Sequence, residues 1–264
     1  SGRESGGGIV VSLAERSMDG DDPRASLLGE DRGALRRSEA PAGPSSRSTS
    51  PLVRVCPFIL GNELCERLAY YGLQTNLVVY FQQSLHLSVA SANFQVSLWA
   101  GTCYMTPVVG AVVADSFLGR YKTIMLFSSV YLAGLCLLVT TNVLMDQAKA
   151  DYAKVGFLLY TSLYIIALGT GGIKPNVSSF GADQFDDTDP AHVKDKASFF
   201  NWFYLFINIG SLLAATVVVY VQQEVSWTIG FALPAGCMLA AVVLFWAGRR
   251  RYRRVRPAES PLTR

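Results

Sequence analysis

The chain has 264 residues, half of them hydrophobic and only 16% charged, with a positive mean hydropathy, a balance shifted from soluble domains towards membrane proteins. The formal charge of +3 is unevenly spread: eight Arg offset eight acids over residues 1–54, residues 55–248 carry −3, and residues 249–264 carry +6. Basicity confined to one short tail argues against a nucleic-acid partner, which needs cations spread over a folded surface.

Residues 1–50 are rich in Ser, Gly, Arg, Asp and Pro and read as a disordered cytosolic tail. Ile9–Leu13 is too short for the apolar core of a signal peptide. The chain starts at Ser1 without an initiator Met, so a fragment is expected. From Pro51 onward six apolar segments of about twenty residues follow, each long enough to span a bilayer. They cover roughly 55–81, 94–114, 121–141, 155–173, 199–221 and 227–247. The expected fold is an all-α membrane protein, a six-helix transmembrane bundle over 51–248, with a basic cytosolic linker over 249–264. A soluble bundle would show polar outer faces on every helix, and segments three and six show almost none. Lys and Arg concentrate after segments two, four and six, so the positive-inside rule places both termini in the cytosol. Small residues suited to close helix approach recur at Gly110, Ala111 and Ala114 and at Gly169, Gly171 and Gly172.

The first segment carries Glu63, Glu66 and Arg67. An Asp, Lys or Arg near the centre of a membrane helix costs roughly 2.5–3.5 kcal/mol on insertion scales, so such groups rarely face lipid. At 100° per residue and with Glu63 at zero, Glu66 lies at about −60°, Arg67 at about +40°, Tyr70 at about −20° and Gln74 at about +20°. Leu64, Cys65, Leu68 and Gly72 fall outside this arc. One polar stripe therefore faces water or protein. Two readings are open: a structural cluster with Glu63 bonded to Arg67 at i,i+4, and an ion or substrate pathway.

Two features mark the cytoplasmic ends. Asp115 and Arg120 flank the turn at Gly119 and are placed to pair across it, coupling helices two and three as a unit; ordinary end-capping and snorkelling is the alternative. At the end of segment four, Lys174 in Gly169-Thr-Gly-Gly-Ile-Lys174-Pro175-Asn176 is that segment's only cation. It either snorkels to the interface or serves as counter-charge to Glu66. The stretch lacks the Gly before Lys and the Ser or Thr after it that a phosphate loop requires. Segment five opens on an aromatic cluster from Phe199 to Tyr204 and contains Asn208, an amide expected to be buried and to need a partner. Asp183, Asp186, Asp187 and Asp189 lack EF-hand spacing and read as a solvated acidic loop. The five cysteines include no CxxC pair, which argues against a disulfide framework or a metal centre. No nucleophile and base pair, dinucleotide fingerprint or metal-ligand pair occurs in the spans, so neither an enzyme nor a cofactor is expected, with a membrane-embedded hydrolase a distant alternative.

Four stretches together resemble the amino-terminal half of the proton-coupled oligopeptide transporter family of the major facilitator superfamily, in its plant nitrate/peptide transporter branch. They are Glu63-x-x-Glu66-Arg67 followed by Tyr70-Tyr71-Gly72, Gly110 through Lys122, Gly169 through Lys174-Pro175 with Ser179 through Asp186, and Phe199 through Gly210. The resemblance implies proton-driven symport of a small solute such as nitrate or a short peptide by alternating access, in a plasma or vacuolar membrane. It implies proton coupling by Glu63, Glu66, Arg67 and Lys174 and a substrate cavity lined by Tyr70, Tyr71 and Asn208. In that scheme protonation of Glu66 releases Lys174 and shifts the population between outward-open and inward-open states. Peptide-selective members carry Arg where this chain has Gln74, which cannot make the bidentate bond to a peptide carboxylate, so the solute class stays open. The superfamily fold places its site between two six-helix halves, so the partners implied are the bilayer, protons, the solute and a missing carboxy-terminal half. A truncated, non-transporting protein that associates with intact transporters is the alternative.

Overall fold

The computed structural model describes residues 50–146 and 152–255, with residues 152 and 153 by backbone only. The tail expected to be disordered lies outside the described residues apart from Ser50, and so does the linker beyond Val255. Among the described residues there are helices and turns and no strand. The elements are α1 (Pro51–Arg54), α2 (Cys56–Gln74), α3 (Leu77–Ser84), α4 (Val89–Val113), α5 (Arg120–Met145), α6 (Tyr152–Ala182), α7 (Pro190–Leu213) and α8 (Trp227–Ala247). Turns of π-helix extend α4 over Ala114–Leu118 and α7 over Ala214–Val218 and Val221–Val225.

Among the described residues, five helical segments are long and apolar enough to cross a membrane: Val89–Leu118, Arg120–Met145, Lys154–Ala182, Pro190–Val225 and Trp227–Arg250. The first apolar segment is interrupted. Its three ionisable residues lie on α2, and the helix breaks at Thr75 and Asn76 before resuming as α3. Buried amides close this break. Gln222 donates to the Gly72 carbonyl (2.9 Å), Asn76 donates to Gln222 (3.1 Å) and Gln223 donates to Asn76 (2.8 Å). The end of α7 thus supplies the partners that a broken helix otherwise lacks in an apolar medium.

The α6 helix runs nine residues beyond the expected end at Ile173, straight through Pro175. Proline removes its own N–H and so strands the carbonyl four residues back, at Gly171. That carbonyl faces Gly110 of α4, where any Cβ would collide with it. The two small-residue clusters therefore meet at the freed carbonyl. Asn176, two-pronged, donates to Gly172 (2.9 Å) and to Gly110 (3.3 Å). With Trp99 Nε1 on Leu163 (2.8 Å) and Thr106 Oγ1 on Ala167 (2.8 Å), it completes a ladder of bonds that welds α4 to α6. Elsewhere α2 packs on α7 and α8, and α5 packs on α6 and α8.

The acidic loop has structural duties that its composition does not reveal. Asp189 caps α7 by accepting from Ala191 (2.9 Å) ahead of Pro190 at the first helical position. Asp187 pairs with Lys196 (2.8 Å). Asp183 pairs with Arg120 at 2.6 Å, which takes the partner expected for Asp115. Gly119 has φ 76° and turns the chain so that Arg120 heads α5 and points at the end of α6, while Asp115 stays exposed with no ion pair among the described residues. The basic residue thus couples α5 to α6 rather than to α4.

Candidate functional site

The polar stripe of α2 is buried where α6 crosses it. Glu66 is 0% exposed, Glu63 4% and Arg67 8%, values that leave all three almost closed to water. Arg67 lies against both carboxylates: its Nε is 3.0 Å from Glu63 Oε1, and its guanidinium contacts Glu66 Oε2. The Nε contact is close but not aligned for a hydrogen bond, so charge rather than direction holds the triad. Glu66 also accepts from Thr170 Oγ1 at 2.9 Å, the direct side-chain link between α2 and α6 at this depth. Gly210 lets α7 back onto this point, since a Cβ there would sit 2.9 Å from the Leu64 carbonyl and 3.0 Å from Arg67 Cβ.

Lys174 occupies the other side of the cluster. It makes no ion pair among the described residues; its Nζ lies 3.7 Å from the centre of the Tyr70 ring and 4.9 Å from that of Tyr104. Cation–π contact holds an ammonium in place without neutralising it. The counter-charge expected for Glu66 is therefore Arg67, helped by Thr170, and Lys174 is a half-buried cation left with aromatic neighbours. Tyr70 is buried, stacked on Trp99 with centroids 6.0 Å apart and edge-on to Tyr71 at 5.4 Å. Its hydroxyl is buried without a hydrogen-bond partner among the described residues, as are the Asn62 side chain and the Tyr131 hydroxyl.

Tyr71 and Gln74 sit half-buried further along α2. Asn208 departs from expectation. It is exposed and donates to the Tyr204 carbonyl of its own helix at 2.7 Å, because this face of α7 has no neighbour among the described residues. Thr170 and Tyr104 were not singled out by sequence. Thr170 stands four residues before Lys174 and so shares its helix face, a spacing that could have found it; Tyr104 lies in a helix with no charged residue to draw attention to it.

A family model described as the POT family matches residues 121–264. The chain belongs to the POT family. Among curated relatives it is 50% identical over 233 residues to Protein NRT1/ PTR FAMILY 8.5 and 48% identical over 230 residues to Protein NRT1/ PTR FAMILY 8.1, both from Arabidopsis thaliana. Each alignment covers 84% of this chain and 40% of the relative, so the chain spans well under half the length of these proteins. Among solved structures it resembles the POT family transporter PepTSo at a TM-score of 0.68 with 31% identity, covering 78% of this chain and 39% of that one. An auto-inhibited POT family peptide transporter gives a TM-score of 0.66 with 33% identity, at 78% and 39% coverage. The POT family membership and the apolar helices together make this a multi-pass integral membrane protein.

Proposed function

We propose that this chain forms the amino-terminal bundle of a proton-coupled symporter for a small solute, working by alternating access with both termini in the cytosol. The observation that carries the reading is the buried set of two carboxylates and two cations, Glu63, Glu66, Arg67 and Lys174, at the crossing of α2 and α6. Glu66 is the proton acceptor. While ionised it shares Arg67 with Glu63 and accepts from Thr170, which ties α2 to α6. Protonation removes the charge that holds Arg67, leaves that cation to Glu63 and loosens the crossing. A change of contact partners at a helix crossing biases one packing over another, which a proton-driven switch requires.

Lys174 takes the solute side of the coupling. It makes no ion pair among the described residues and is half-buried beside Tyr70 and Tyr104, so an anionic group of the solute, nitrate or a carboxylate, is its electrostatic complement. In this reading Asn208, exposed on α7, lines the solute path, to be completed by a second bundle. A solved neighbour named as a peptide transporter keeps peptides in play, the resemblance to the nitrate/peptide branch keeps nitrate, and Gln74 offers hydrogen bonds but no charge.

The test is uptake by the full-length transporter bearing Glu66→Gln, with labelled nitrate and labelled dipeptide at two external pH values. The expected result is loss of pH-dependent accumulation with exchange retained. Undiminished proton-driven accumulation by the variant would overturn the assignment.

A further inference from the structure

The basic end of the bundle holds a cavity that the coupling mechanism does not use. After α8 the chain doubles back as a strap. Tyr252 is buried against Phe180 and Phe245 with centroids 5.1 Å away in each case. Arg253 and Gln184 exchange two bonds, Arg253 N to Gln184 Oε1 (2.8 Å) and Gln184 Nε2 to the Arg253 carbonyl (3.1 Å). So anchored, the strap places Arg254 over the Tyr121 ring at 4.2 Å, and Arg254 Nη2 donates to the Arg249 carbonyl (3.2 Å).

Under the strap lies a cavity of about 190 Å³, lined by Arg120, Lys122 and Arg254 together with Asp183, Tyr121 and Phe180. Three cations face one carboxylate. The Asp183 charge is already matched by Arg120 at 2.6 Å, which leaves Lys122 and Arg254 as net positive charge at the mouth. Lys122 makes no ion pair among the described residues, and the Arg254 guanidinium is held by a ring and a carbonyl, neither of which neutralises it. The field is strengthened, secondarily, by the start of α5: Gly119 offers no side-chain cap, so the first-turn N–H groups are open to an acceptor.

We infer that this cavity is a binding site for a phosphate-bearing anion, closed on one side by the strap. The guanidinium and ammonium converge from two different segments, which suits a tetrahedral anion with several acceptor oxygens better than a single carboxylate. The phosphate could be carried by a membrane lipid headgroup or come from solution, and both sources present the same chemistry to Lys122 and Arg254.

The test titrates the full chain, purified in neutral detergent, with a short-chain phosphatidylinositol 4-phosphate and separately with inorganic phosphate, by calorimetry. Lys122→Gln combined with Arg254→Gln should weaken binding by about 10-fold or more. Both residues are exposed, and an unchanged melting temperature certifies the fold. The control is Arg250→Gln combined with Arg251→Gln, which removes the same charge from the strap region outside the cavity and should leave binding within about 2-fold. Binding of the lipid alone assigns the site to a headgroup, and binding of inorganic phosphate as well assigns it to the phosphate group itself. Failure of both probes to bind, or equal weakening by the control pair, overturns the inference.

Discussion

Replacing Arg67 with Gln tests the charge balance of the α2–α6 crossing directly. In the native chain one guanidinium serves two carboxylates, Glu63 and Glu66, at positions almost closed to water. Removing one partner from a buried ion pair costs about 3–5 kcal/mol, because the group left behind keeps its desolvation penalty without its attraction. Lys174 cannot take over without leaving Tyr70, where its Nζ sits 3.7 Å from the ring centre. Arg67→Gln should therefore destabilise by about 3–5 kcal/mol, a loss of roughly 10 °C in thermal midpoint at about 2–4 °C per kcal/mol for a domain of this size. The triple variant Arg67→Gln, Glu63→Gln, Glu66→Gln removes the orphaned charges and should recover most of that loss. Thermal unfolding of the purified chain in detergent, followed by circular dichroism, measures both, and the difference between single and triple variants isolates the coupling. If Arg67→Gln melts within about 2 °C of the native chain, or if the triple variant melts no higher than the single one, packing rather than charge sets the stability of this crossing.

Three further outcomes follow from other contacts. Gly110→Ala drives a methyl group into the Gly171 carbonyl and should cost about 1–3 kcal/mol as an overpacked contact, read as a lower melting temperature; Gly101→Ala, where a Cβ meets nothing within 4 Å, should leave it unchanged or slightly raised. Gln222→Leu orphans the Gly72 carbonyl and the Asn76 amide together; at about 1–3 kcal/mol per buried unsatisfied group, hydrogen exchange of the backbone around the break between α2 and α3 should accelerate markedly while α5 stays protected. Asp186 accepts from the backbone N–H and then the hydroxyl of Thr188 (3.1 and 2.8 Å), which lowers its pKa below the ordinary 3.8. A lowered folded-state pKa means a contribution to stability that is present above pH 3.8 and lost as pH falls from there through the folded value. Asp186→Asn should therefore flatten the acid-side loss of stability below pH 3.8, a small effect for so exposed a group, visible as melting temperatures of variant and native chain that converge as the pH falls.

The architecture was legible because bilayer length and helical periodicity are written directly into apolar runs and their charged connections. The stripe on α2 was legible for the same reason: Glu63, Glu66, Arg67 and Tyr70 recur at helical spacing, and the structure buries all four. Partner choice was not. Arg120 sits five residues from Asp115 in sequence, yet it pairs with Asp183, because Gly119 reverses the chain and aims α5 at the end of α6. Segment four was expected to end near Ile173, but the helix continues through Pro175, because membrane helices carry proline when a neighbour accommodates the stranded carbonyl, and Gly110 on another helix does so here. Asn208 was expected inside because an amide in a span needs a partner; its own helix supplies one, and only the three-dimensional arrangement shows which face of α7 lacks a neighbour.

These misses share a cause that bears on how the site works. Within a helix, spacing fixes which side chains share a face, so clusters on one helix can be read from sequence. Between helices, the pairing of Glu66 with Thr170, or of the Tyr70 ring with Lys174, depends on how closely backbones approach, and around this site glycines allow the close contacts, Gly110 and Gly171 between α4 and α6 and Gly210 between α7 and α2. The residues that would couple a proton to a solute are thus positioned by residues that carry no chemistry at all. The balance of charge points the same way. Two carboxylates and one guanidinium leave the triad at −1, and Lys174, the nearest remaining cation, is held by aromatic faces that fix its place without cancelling its charge. A proton on Glu66 brings the triad to neutrality and takes from Lys174 the anion that balanced it through space, so the site then carries an excess positive charge. Under the proposed function an anionic solute group beside Lys174 would restore the balance, so that proton and solute would each favour binding of the other, which is the thermodynamic condition for symport.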